Sequence, residues 1–398
     1  MTMQSPGRYV WFPPGPRPGT ANGREQRTAM STDGTLIDDD LHVGWFIPTS
    51  GDTTAYGDHD ATVPPSMELF DRVAHAAEAA GFEYALVPVQ TACWEAWITC
   101  AMLAARTERL TMLVAARPGL IAPTVMAKMI ATFDQLSGGR VAINLIAGGG
   151  HAELAQDGLY ADHDERYAVM DETVALMKRV WTERAPVSHE GEHFKVEGAI
   201  VRPRPLQHPH PPFFLGGISA AAQEVCARHA DVYLYWGDTP ENIAVRMADA
   251  RRRAAHHGRA DALRFGMRLQ VIVGDSEAEA WEAADALIAN AGESQRRSIA
   301  TMWEQSEANT RMKELTRAEG YRIAPHLWSG ISTVRPGAGV CVVGDPDQVA
   351  DTLLQFVDIG CTHFCLSGYP HDEAATRFGR DVLPKLRAGF DARRRAVA

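Results

Sequence analysis

The sequence predicts an α/β fold, a closed TIM (β/α)8 barrel with insertion segments. From His42 onward, short apolar runs of strand length alternate with amphipathic helical segments, which is the pattern of repeated βα units around a parallel sheet. Eight such runs can be counted, and 398 residues suit one large barrel, since such barrels span ~250 to over ~400 residues. Eight repeats favour a closed barrel over an open, doubly wound sheet.

The apolar runs and the residues that flank them predict the individual elements. Ser66 is placed to cap the first barrel helix and Gly81 to end it, while Pro123 begins a later helix that Gly138 closes. A long helical stretch is predicted over 276–318, and the run VCVVGD is a ninth strand candidate. The eight predicted strands are, in chain order, HVGWFIP, YALVPV, LTMLVA, VAINLIAG, FFLGG, VYLYWG, MRLQVIV and HFCLSG.

The domain organisation follows from a change in composition near residue 40. Residues 1–40 are rich in Pro, Gly and polar residues without a sustained period, which predicts an extended N-terminal arm. Its aromatic residues leave open that the arm docks on a partner subunit. Residues 41–398 are predicted to form a single barrel domain with a helical insertion or lid at about 276–340, since long insertions in barrels usually serve as lids or binding loops.

Composition excludes several classes of protein. The formal net charge of -11 argues against a broad nucleic-acid surface, which needs clustered Lys and Arg. Six cysteines without C-x-x-C spacing argue against a zinc site and against a secreted disulfide framework. No apolar run approaches the ~18 to 20 residues of a transmembrane helix, and the N-terminus lacks the order of a signal peptide. A soluble cytoplasmic protein is expected.

Glycine clusters at two strand ends indicate ligand contact. In an α/β barrel, the catalytic groups lie where the strands end. The glycines of residues 148–150 either allow the backbone to approach a flat or phosphorylated ligand or form a flexible turn. In FFLGGIS, two glycines and Ser219 lead into a helix N-terminus that favours phosphate. The sequence does not match G-x-G-x-x-G, so a nicotinamide Rossmann site is not supported.

Several charged and reactive side chains at strand ends leave alternatives open. In HDERY, residues 163–167, the histidine, arginine and tyrosine stand before a helix, yet Asp164 could simply cap that helix. Arg117, Arg268 and Arg335 could each form a structural ion pair, or together an anion pocket. Cys93 would be a nucleophile only with a stabilised thiolate, and is otherwise an inert, semi-buried thiol. No metal cluster stands out.

Five segments together carry a resemblance: FDQLSGGRVAINLIAGGG, DHDERY, PPFFLGGIS, YLYWGD and LSGYPH. They resemble the flavin-dependent monooxygenases of the bacterial luciferase-like class, and especially the alkanesulfonate monooxygenases. The resemblance runs from about Gly44 to about Leu386. It implies a luciferase-like TIM barrel that uses reduced FMN from a separate NAD(P)H:flavin reductase, with O2 as co-substrate, and that assembles as a homodimer or homotetramer.

The resemblance also implies roles for particular residues. The catalytic positions would be Arg268, Arg335 and Tyr369, with Cys93 at a matching position. Arg268 would neutralise an anionic group, Arg335 would close over the site, and Tyr369 would donate a hydrogen bond or proton. The implied flavin contacts are Val89, Gln90, Asn144, Glu153, His163, Arg166, Tyr167, Gly217 and Ser219. The implied substrate contacts are Ser50, Trp236, Gln270 and His371.

Two departures from the family pattern affect the predicted substrate. Where the alkanesulfonate monooxygenases carry histidines, this chain has Ser50 in FIPTSGDT and Gln270 in RLQ. Both changes remove a possible positive charge, which suits a neutral, polar and larger substrate. Oxidative cleavage of riboflavin, the reaction of the related riboflavin lyases, therefore stands as an alternative to an alkanesulfonate. A deazaflavin-dependent oxidoreductase and a non-catalytic flavin-binding protein are further alternatives.

Overall fold

The computed structural model describes residues 36–302 and 306–397, so most of the predicted arm, residues 1–35, lies outside the described residues. The strands in these ranges are β1 (His42–Phe46), β2 (Asp52–Thr53), β3 (Thr62–Val63), β4 (Tyr84–Val87), β5 (Thr111–Ala116), β6 (Val141–Leu145), β7 (Val187–Glu190), β8 (Lys195–Ala199), β9 (Phe213–Leu215), β10 (Val232–Trp236), β11 (Arg264–Val273), β12 (Arg322–Ala324), β13 (Leu327–Trp328), β14 (Cys341–Gly344) and β15 (His363–Ser367).

The α-helices lie mainly between the barrel strands, and two 3-10 helices, Glu319–Tyr321 and Gly330–Thr333, follow in the insertion. The α-helices are α1 (Met67–Ala80), α2 (Ala96–Ala104), α3 (Pro123–Ser137), α4 (His151–Gln156), α5 (His163–Thr182), α6 (Ala220–His229), α7 (Pro240–His256), α8 (Glu277–Ala289), α9 (Glu293–Thr301), α10 (Glu307–Leu315), α11 (Pro346–Asp358), α12 (His371–Asp381) and α13 (Leu383–Val397). No helix among the described residues is both long enough and apolar enough to cross a membrane.

Eight parallel strands close into a barrel. Around the ring their order is β1, β4, β5, β6, β9, β10, β11 and β15, and β15 pairs with β1 to close it. These are the eight runs that the sequence predicts as strands, so the closed (β/α)8 barrel is confirmed. The strands are buried almost throughout, because helices cover the outside and side chains fill the inside.

The ninth apolar run, VCVVGD, forms a strand that lies outside the ring. β11 is ten residues long, and its first half pairs with β10 over Arg264–Arg268. Its second half, from Gln270 to Val273, pairs with β14 in parallel. β13 and β12 then extend β14 in antiparallel fashion. The long β11 is therefore shared between the barrel and a sheet extension that belongs to the insertion.

The helix ends follow the predicted capping, with one correction. Ser66 Oγ accepts a hydrogen bond from Leu69 N at 3.1 Å, and Gly81 ends α1 with a left-handed φ of 88°. α3 begins at Pro123 and ends at Gly138. The cap of α5 is Asp162 and not Asp164, because the helix begins at His163, two residues earlier than a cap at Asp164 would require, and the Asp162 carboxylate accepts from Glu165 N at 2.9 Å.

The insertion is helical but interrupted. The stretch predicted as helical over 276–318 contains α8, α9 and α10, with residues 303–305 outside the described part. Arg311 on α10 donates two hydrogen bonds to Asp238, at 2.7 and 3.0 Å, in the loop after β10. Asp238 is only 2% exposed. This bidentate ion pair fastens the insertion to the C-terminal end of the barrel.

The opposite end of the barrel is closed by residues 36–40. Leu36 is buried among side chains of the barrel interior, and its carbonyl lies 2.9 Å from His363 Nε2. His42, at the start of β1, lies between two carboxylates, 2.5 Å from Glu83 Oε2 and 2.7 Å from Asp38 Oδ1. These five residues, which the sequence assigned to the arm, pack on the base of the barrel.

Candidate functional site

The C-terminal ends of the barrel strands bring polar side chains together inside the barrel. Side chains two apart on a strand share a face, so Asn144 faces inward with the buried Ala142, and Gln270 faces the same side as Arg268. Arg268 Cζ lies 4.7 Å from the centre of the Phe46 ring on β1, across β15, which places the guanidinium in the barrel interior. Trp236 stands beside Arg268 in the strand register.

Arg268 is a buried cation that bonds neutral groups. Its Nη1 donates to Leu269 O at 2.7 Å and its Nη2 to Ser367 Oγ at 3.0 Å, and the residue is 5% exposed. No carboxylate among residues 36–302 and 306–397 lies within 4.0 Å of the guanidinium. Burial lowers the pKa of Arg268 from its ordinary value. A buried positive charge without an anion is costly, and an anionic or electron-rich ligand would compensate it.

Above this layer lies a cavity of about 1260 Å³. Five of the predicted site residues line it: Ser50, Gln90, Glu153, Arg335 and Tyr369. The remaining wall comes from the loop after β1, from residues 90–92 after β4, from residues around α4, and from insertion residues between 290 and 302. The insertion therefore forms one side of the cavity, as a lid would.

Arg335 and Tyr369 meet on the cavity wall. Arg335 Nη1 donates to Tyr369 Oη at 3.4 Å. Burial alone would lower the pKa of Arg335, but the neighbouring hydroxyls of Tyr369 and Tyr56 outweigh it and raise that pKa above its ordinary value. No carboxylate in the described part of the chain lies within 4.0 Å of this guanidinium either. Two unpaired arginines thus lie at one end of the barrel.

His371 lies behind the wall that Tyr369 forms, neither on the molecular surface nor among the residues that line the cavity. It is 3% exposed, its Nδ1 lies 2.7 Å from Asp52 Oδ1, and its backbone N donates to Asp52 Oδ2 at 2.8 Å. Burial would raise the pKa of Asp52, but the bonds to His371 outweigh it and lower that pKa. The rings of His371 and Tyr369 pack edge to face with centroids 4.9 Å apart, so the pair supports Tyr369 from below.

The other predicted catalytic residue, Cys93, is a half-buried thiol. Burial raises the pKa of Cys93, although contacts with Thr49 and the charge of Arg335 oppose that shift. The thiol is therefore protonated at neutral pH, and the stabilised thiolate that a nucleophile needs is not provided.

Glu153 and Arg117 form a buried ion pair at the edge of the cavity. Arg117 donates to Glu153 Oε1 and to Asp157 Oδ2, each at 2.8 Å, and is 4% exposed. Arg117 is thus neutralised, so the anion pocket that three arginines could form is reduced to Arg268 and Arg335. The second oxygen of Glu153, Oε2, is buried without a partner in the described structure and is open to a ligand donor.

A candidate phosphate cradle lies at the start of α6. Gly217 has a φ of 127°, and a Cβ there would lie 2.7 Å from Ala222 Cβ and 3.0 Å from Tyr167 Oη. Ser219 caps the ten-residue helix α6, accepting from Ala222 N at 3.3 Å. Arg166 Nε is buried without a partner among the described residues. These groups suit an anionic phosphate, because they combine a buried guanidinium N–H that has no partner in the described structure with a helix N-terminus and a glycine backbone.

The remaining predicted residues lie around these two features. His163 is half-buried, with its ring 5.1 Å from that of Tyr167 and its Nδ1 2.7 Å from Asp164 Oδ1. Val89 is half-buried just beyond β4. Gln270 is fully buried, and its Nε2 donates to Ala338 O at 2.8 Å while its Oε1 has no partner in the described part of the chain.

Sequence reasoning missed Asp52 and Tyr56, which also line the cavity. Asp52 begins the short strand β2 and Tyr56 lies in the loop that follows it, both within the stretch SGDTTAYGD after β1. Tyr56 Oη is 3.0 Å from Tyr369 Oη, a contact between residues 313 positions apart. A loop that follows a barrel strand and carries an aspartate and a tyrosine was the available signal.

The sequence profile described as luciferase-like monooxygenase matches residues 41–363. The chain therefore belongs to the luciferase-like monooxygenase family and is an enzyme of the flavin-dependent monooxygenase class. This agrees with the resemblance that the sequence motifs carry.

Solved structures share the fold. Riboflavin lyase RcaE, solved with modified FMN and riboflavin, is 20% identical with a TM-score of 0.72, covering 90% of this chain and 92% of its own. The EDTA monooxygenase EmoA from Chelativorans sp. BNC1 is 19% identical with a TM-score of 0.71, covering 88% and 94%. The long-chain alkane monooxygenase LadA is 19% identical with a TM-score of 0.71, covering 88% and 91%. At this identity the likeness establishes the fold, while the named substrates differ widely.

Proposed function

We propose that this chain is the oxygenase of a two-component system, which uses reduced FMN from a separate NAD(P)H:flavin reductase and O2 to oxidise and cleave a small organic substrate. The observation that carries the proposal is a cavity beyond the barrel strands that Arg335 lines without a carboxylate partner among the described residues, in a barrel whose interior also holds the buried, unpaired Arg268. Reduced FMN supplies the electrons that activate O2.

The flavin would be held by the residues at the barrel mouth. Its phosphate suits the cradle of Arg166, Tyr167, Gly217 and Ser219, with His163 at the rim. The strand-end residues Val89, Gln90 and Asn144 and the open carboxylate oxygen of Glu153 would serve the ring system. A buried carboxylate oxygen without a partner suits an N–H donor of the ligand.

The catalytic work of the chain itself would be charge stabilisation and positioning. Arg268 holds its positive charge in the buried barrel interior, where solvent screens its field little, and Arg335 adds a second positive charge on the cavity wall. Tyr369 presents a hydroxyl to the cavity as a hydrogen-bond donor. The protonated thiol of Cys93 would contribute packing beside Arg335.

Two substrate classes are supported by different observations. The unpaired guanidinium groups of Arg268 and Arg335 support an alkanesulfonate, because a planar fork of donors matches a sulfonate. The open amide oxygen of Gln270, the neutral Ser50 and the cavity of about 1260 Å³ support riboflavin, since the volume exceeds the ~300 to 1,000 Å³ of ordinary ligand pockets. Trp236 would pack against either substrate.

We further propose that the chain assembles as a homodimer, alone or as half of a homotetramer, through α2 and α3. Ile98 is 69% exposed and Met102 42% on α2, Trp94 is 47% exposed just before that helix, and Val125 and Leu136 are exposed on α3 at 51% and 82%. Large apolar side chains exposed on the surface in this number are typical of an interface. Light scattering after gel filtration is expected to give a mass of at least two chains, and a monomer would refute the interface.

The function is tested by supplying the purified chain with a flavin reductase, NADH, FMN and O2. Products are identified by mass spectrometry with 1-octanesulfonate and with riboflavin as substrates. Product formation that depends on reduced FMN is expected for one of the two, with at least a ~100-fold loss in Arg268→Ala.

Two outcomes would reject the proposal. Stoichiometric FMN binding without turnover, unchanged in Arg268→Ala, would indicate a non-catalytic flavin-binding protein. Tighter binding and turnover with a deazaflavin would indicate a deazaflavin-dependent oxidoreductase.

A further inference from the structure

A second tyrosine stands beside the predicted hydrogen-bond donor of the site. Tyr56 Oη lies 3.0 Å from Tyr369 Oη, which in turn accepts from Arg335 Nη1 at 3.4 Å, and all three side chains line the cavity. We propose that Tyr56 is a positioning residue that directs the hydroxyl proton of Tyr369 into the cavity. The inference rests on the proposed function, in which Tyr369 donates to the ligand.

The donors and acceptors around Tyr369 determine where its hydroxyl proton points. A guanidinium can only donate, so the Tyr369 oxygen accepts from Arg335. One hydroxyl proton lies between the two tyrosines. When Tyr56 supplies it, the Tyr369 oxygen accepts two hydrogen bonds, from Tyr56 and from Arg335. The Tyr369 proton then has neither Tyr56 nor Arg335 as an acceptor. It points to the remaining open side of the hydroxyl, which faces the cavity.

Among the described residues, Tyr369 is the hydrogen-bond partner of the Tyr56 hydroxyl, so the Tyr56 proton has no other acceptor there. Burial, and after it the neighbouring Tyr369, raise the pKa of Tyr56 well above its ordinary value, so its hydroxyl stays protonated at neutral pH. The nearby Asp52 does not compete for this proton. Its carboxylate already accepts from Thr53 N at 2.8 Å and holds His371 through both oxygens.

The insertion holds Tyr56 in place. Tyr56 N donates to Leu287 O at 2.8 Å, near the end of α8. At the next residue, a Cβ on Gly57 would lie 2.2 Å from Asn290 O, so the loop backbone and the insertion are in close contact. The position of the Tyr56 hydroxyl therefore follows the position of the insertion. Closure over the cavity and orientation of the Tyr369 proton are linked through this one residue.

The direct test needs no flavin. 3-Fluorotyrosine is placed at position 369 of the full chain, and its titration is followed by 19F NMR in the wild-type background and in Tyr56→Phe. Loss of a donor to the Tyr369 oxygen disfavours its anion, so the titration midpoint is expected to rise by about one pH unit. Gly57→Ala, which displaces the loop from the insertion but keeps the hydroxyl, is expected to move it in the same direction.

The control is Tyr235→Phe, which removes a buried hydroxyl that has no partner in the described structure and does not line the cavity. It should leave the midpoint unchanged. A midpoint that falls or stays unchanged in Tyr56→Phe would show that Tyr56 does not donate to the Tyr369 oxygen; either result overturns the inference.

Turnover gives a second, separate test with the substrate that the product screen identifies. Tyr56→Phe is expected to lower kcat about 10-fold with little change in the Kd for reduced FMN, and Tyr56→Phe/Tyr369→Phe should be no slower than Tyr369→Phe alone. Additive losses would overturn the inference. If the wild-type chain forms no product at all, the proposed function fails while the NMR titration still decides the role of Tyr56.

Discussion

Gly217→Ala should separate phosphate recognition from recognition of the flavin ring. The φ of 127° at Gly217 is rarely adopted by other residues and costs about 1–3 kcal/mol for alanine. The new Cβ would also lie 2.7 Å from Ala222 Cβ, against 3.4 Å or more for an ordinary contact. The first turn of α6 must therefore move by roughly 0.7 Å, and the N–H groups that would bind phosphate move with it.

The effect of Gly217→Ala on phosphate binding is best measured by comparing the change in Kd for FMN with the change in Kd for riboflavin. A displacement of this size in a set of charge-assisted hydrogen bonds costs about 1.5–3 kcal/mol, which is roughly a 10- to 100-fold weaker Kd for FMN. Riboflavin has the same ring but no phosphate, so its Kd should change less than about 3-fold. Both are measured by flavin fluorescence quenching, with stability followed by urea unfolding.

Gly138→Ala is the matched control. Gly138 has a φ of 70°, and a Cβ there meets no atom within 4 Å. This variant should lose about 1–2 kcal/mol of stability from backbone strain alone, with unchanged affinity for FMN and riboflavin. Equal FMN affinity in Gly217→Ala and the wild type, or an equal loss for both ligands, would refute the placement of the phosphate.

Two further predictions concern the ends of the barrel. Contacts with two carboxylates outweigh burial and raise the pKa of His42. The contribution of His42 to stability is therefore complete below the unfolded pKa of about 6.5 and is lost as the pH rises through the folded pKa. The difference in free energy of unfolding between wild type and His42→Gln, measured with urea, should shrink from pH 6 to pH 9, and a growing difference would contradict this prediction. Asp238→Asn should lower the free energy of unfolding by about 1.5–3 kcal/mol, because Arg311 loses a bidentate carboxylate, and should speed proteolysis within the insertion. As a control, Asp381→Asn breaks an exposed ion pair and should lower the free energy of unfolding by less than about 1 kcal/mol.

The barrel was predictable because its signals are local. Each barrel strand is an apolar run between turn residues, and residues such as Ser66 and Gly81 mark helix ends by chemistry that acts within a few positions. Asp162 and Asp164 could not be separated in this way, since both lie within two residues of the start of the same helix. The position of β14 outside the ring depends on the length of β11 and on its register with two different partners, which no local pattern encodes.

The site was predictable where it lies at strand ends, and less so where loops meet. Arg268 and Asn144 follow from the strand pattern and the period of two. The neutralisation of Arg117 by Glu153 and Asp157 requires a contact across about 40 residues, through a segment whose fold the sequence left undefined. Tyr56 required knowledge of how the loop after β1 packs on the insertion.

The shared strand β11 has a consequence for building chimaeras between relatives. Gln270 stands where the partner of β11 changes from β10 to β14. Its side-chain amide donates a hydrogen bond to the carbonyl of Ala338, three residues before β14 begins. If the boundary of a transplanted insertion falls between Gln270 and Ala338, the Gln270 amide and the Ala338 carbonyl come from different parents. Their hydrogen bond, which is fully buried, can then be lost. The transferable module therefore extends from the end of α7 through Gly344, so that exchanging the insertion side of the cavity also exchanges the whole of β11, with Arg268 and Gln270.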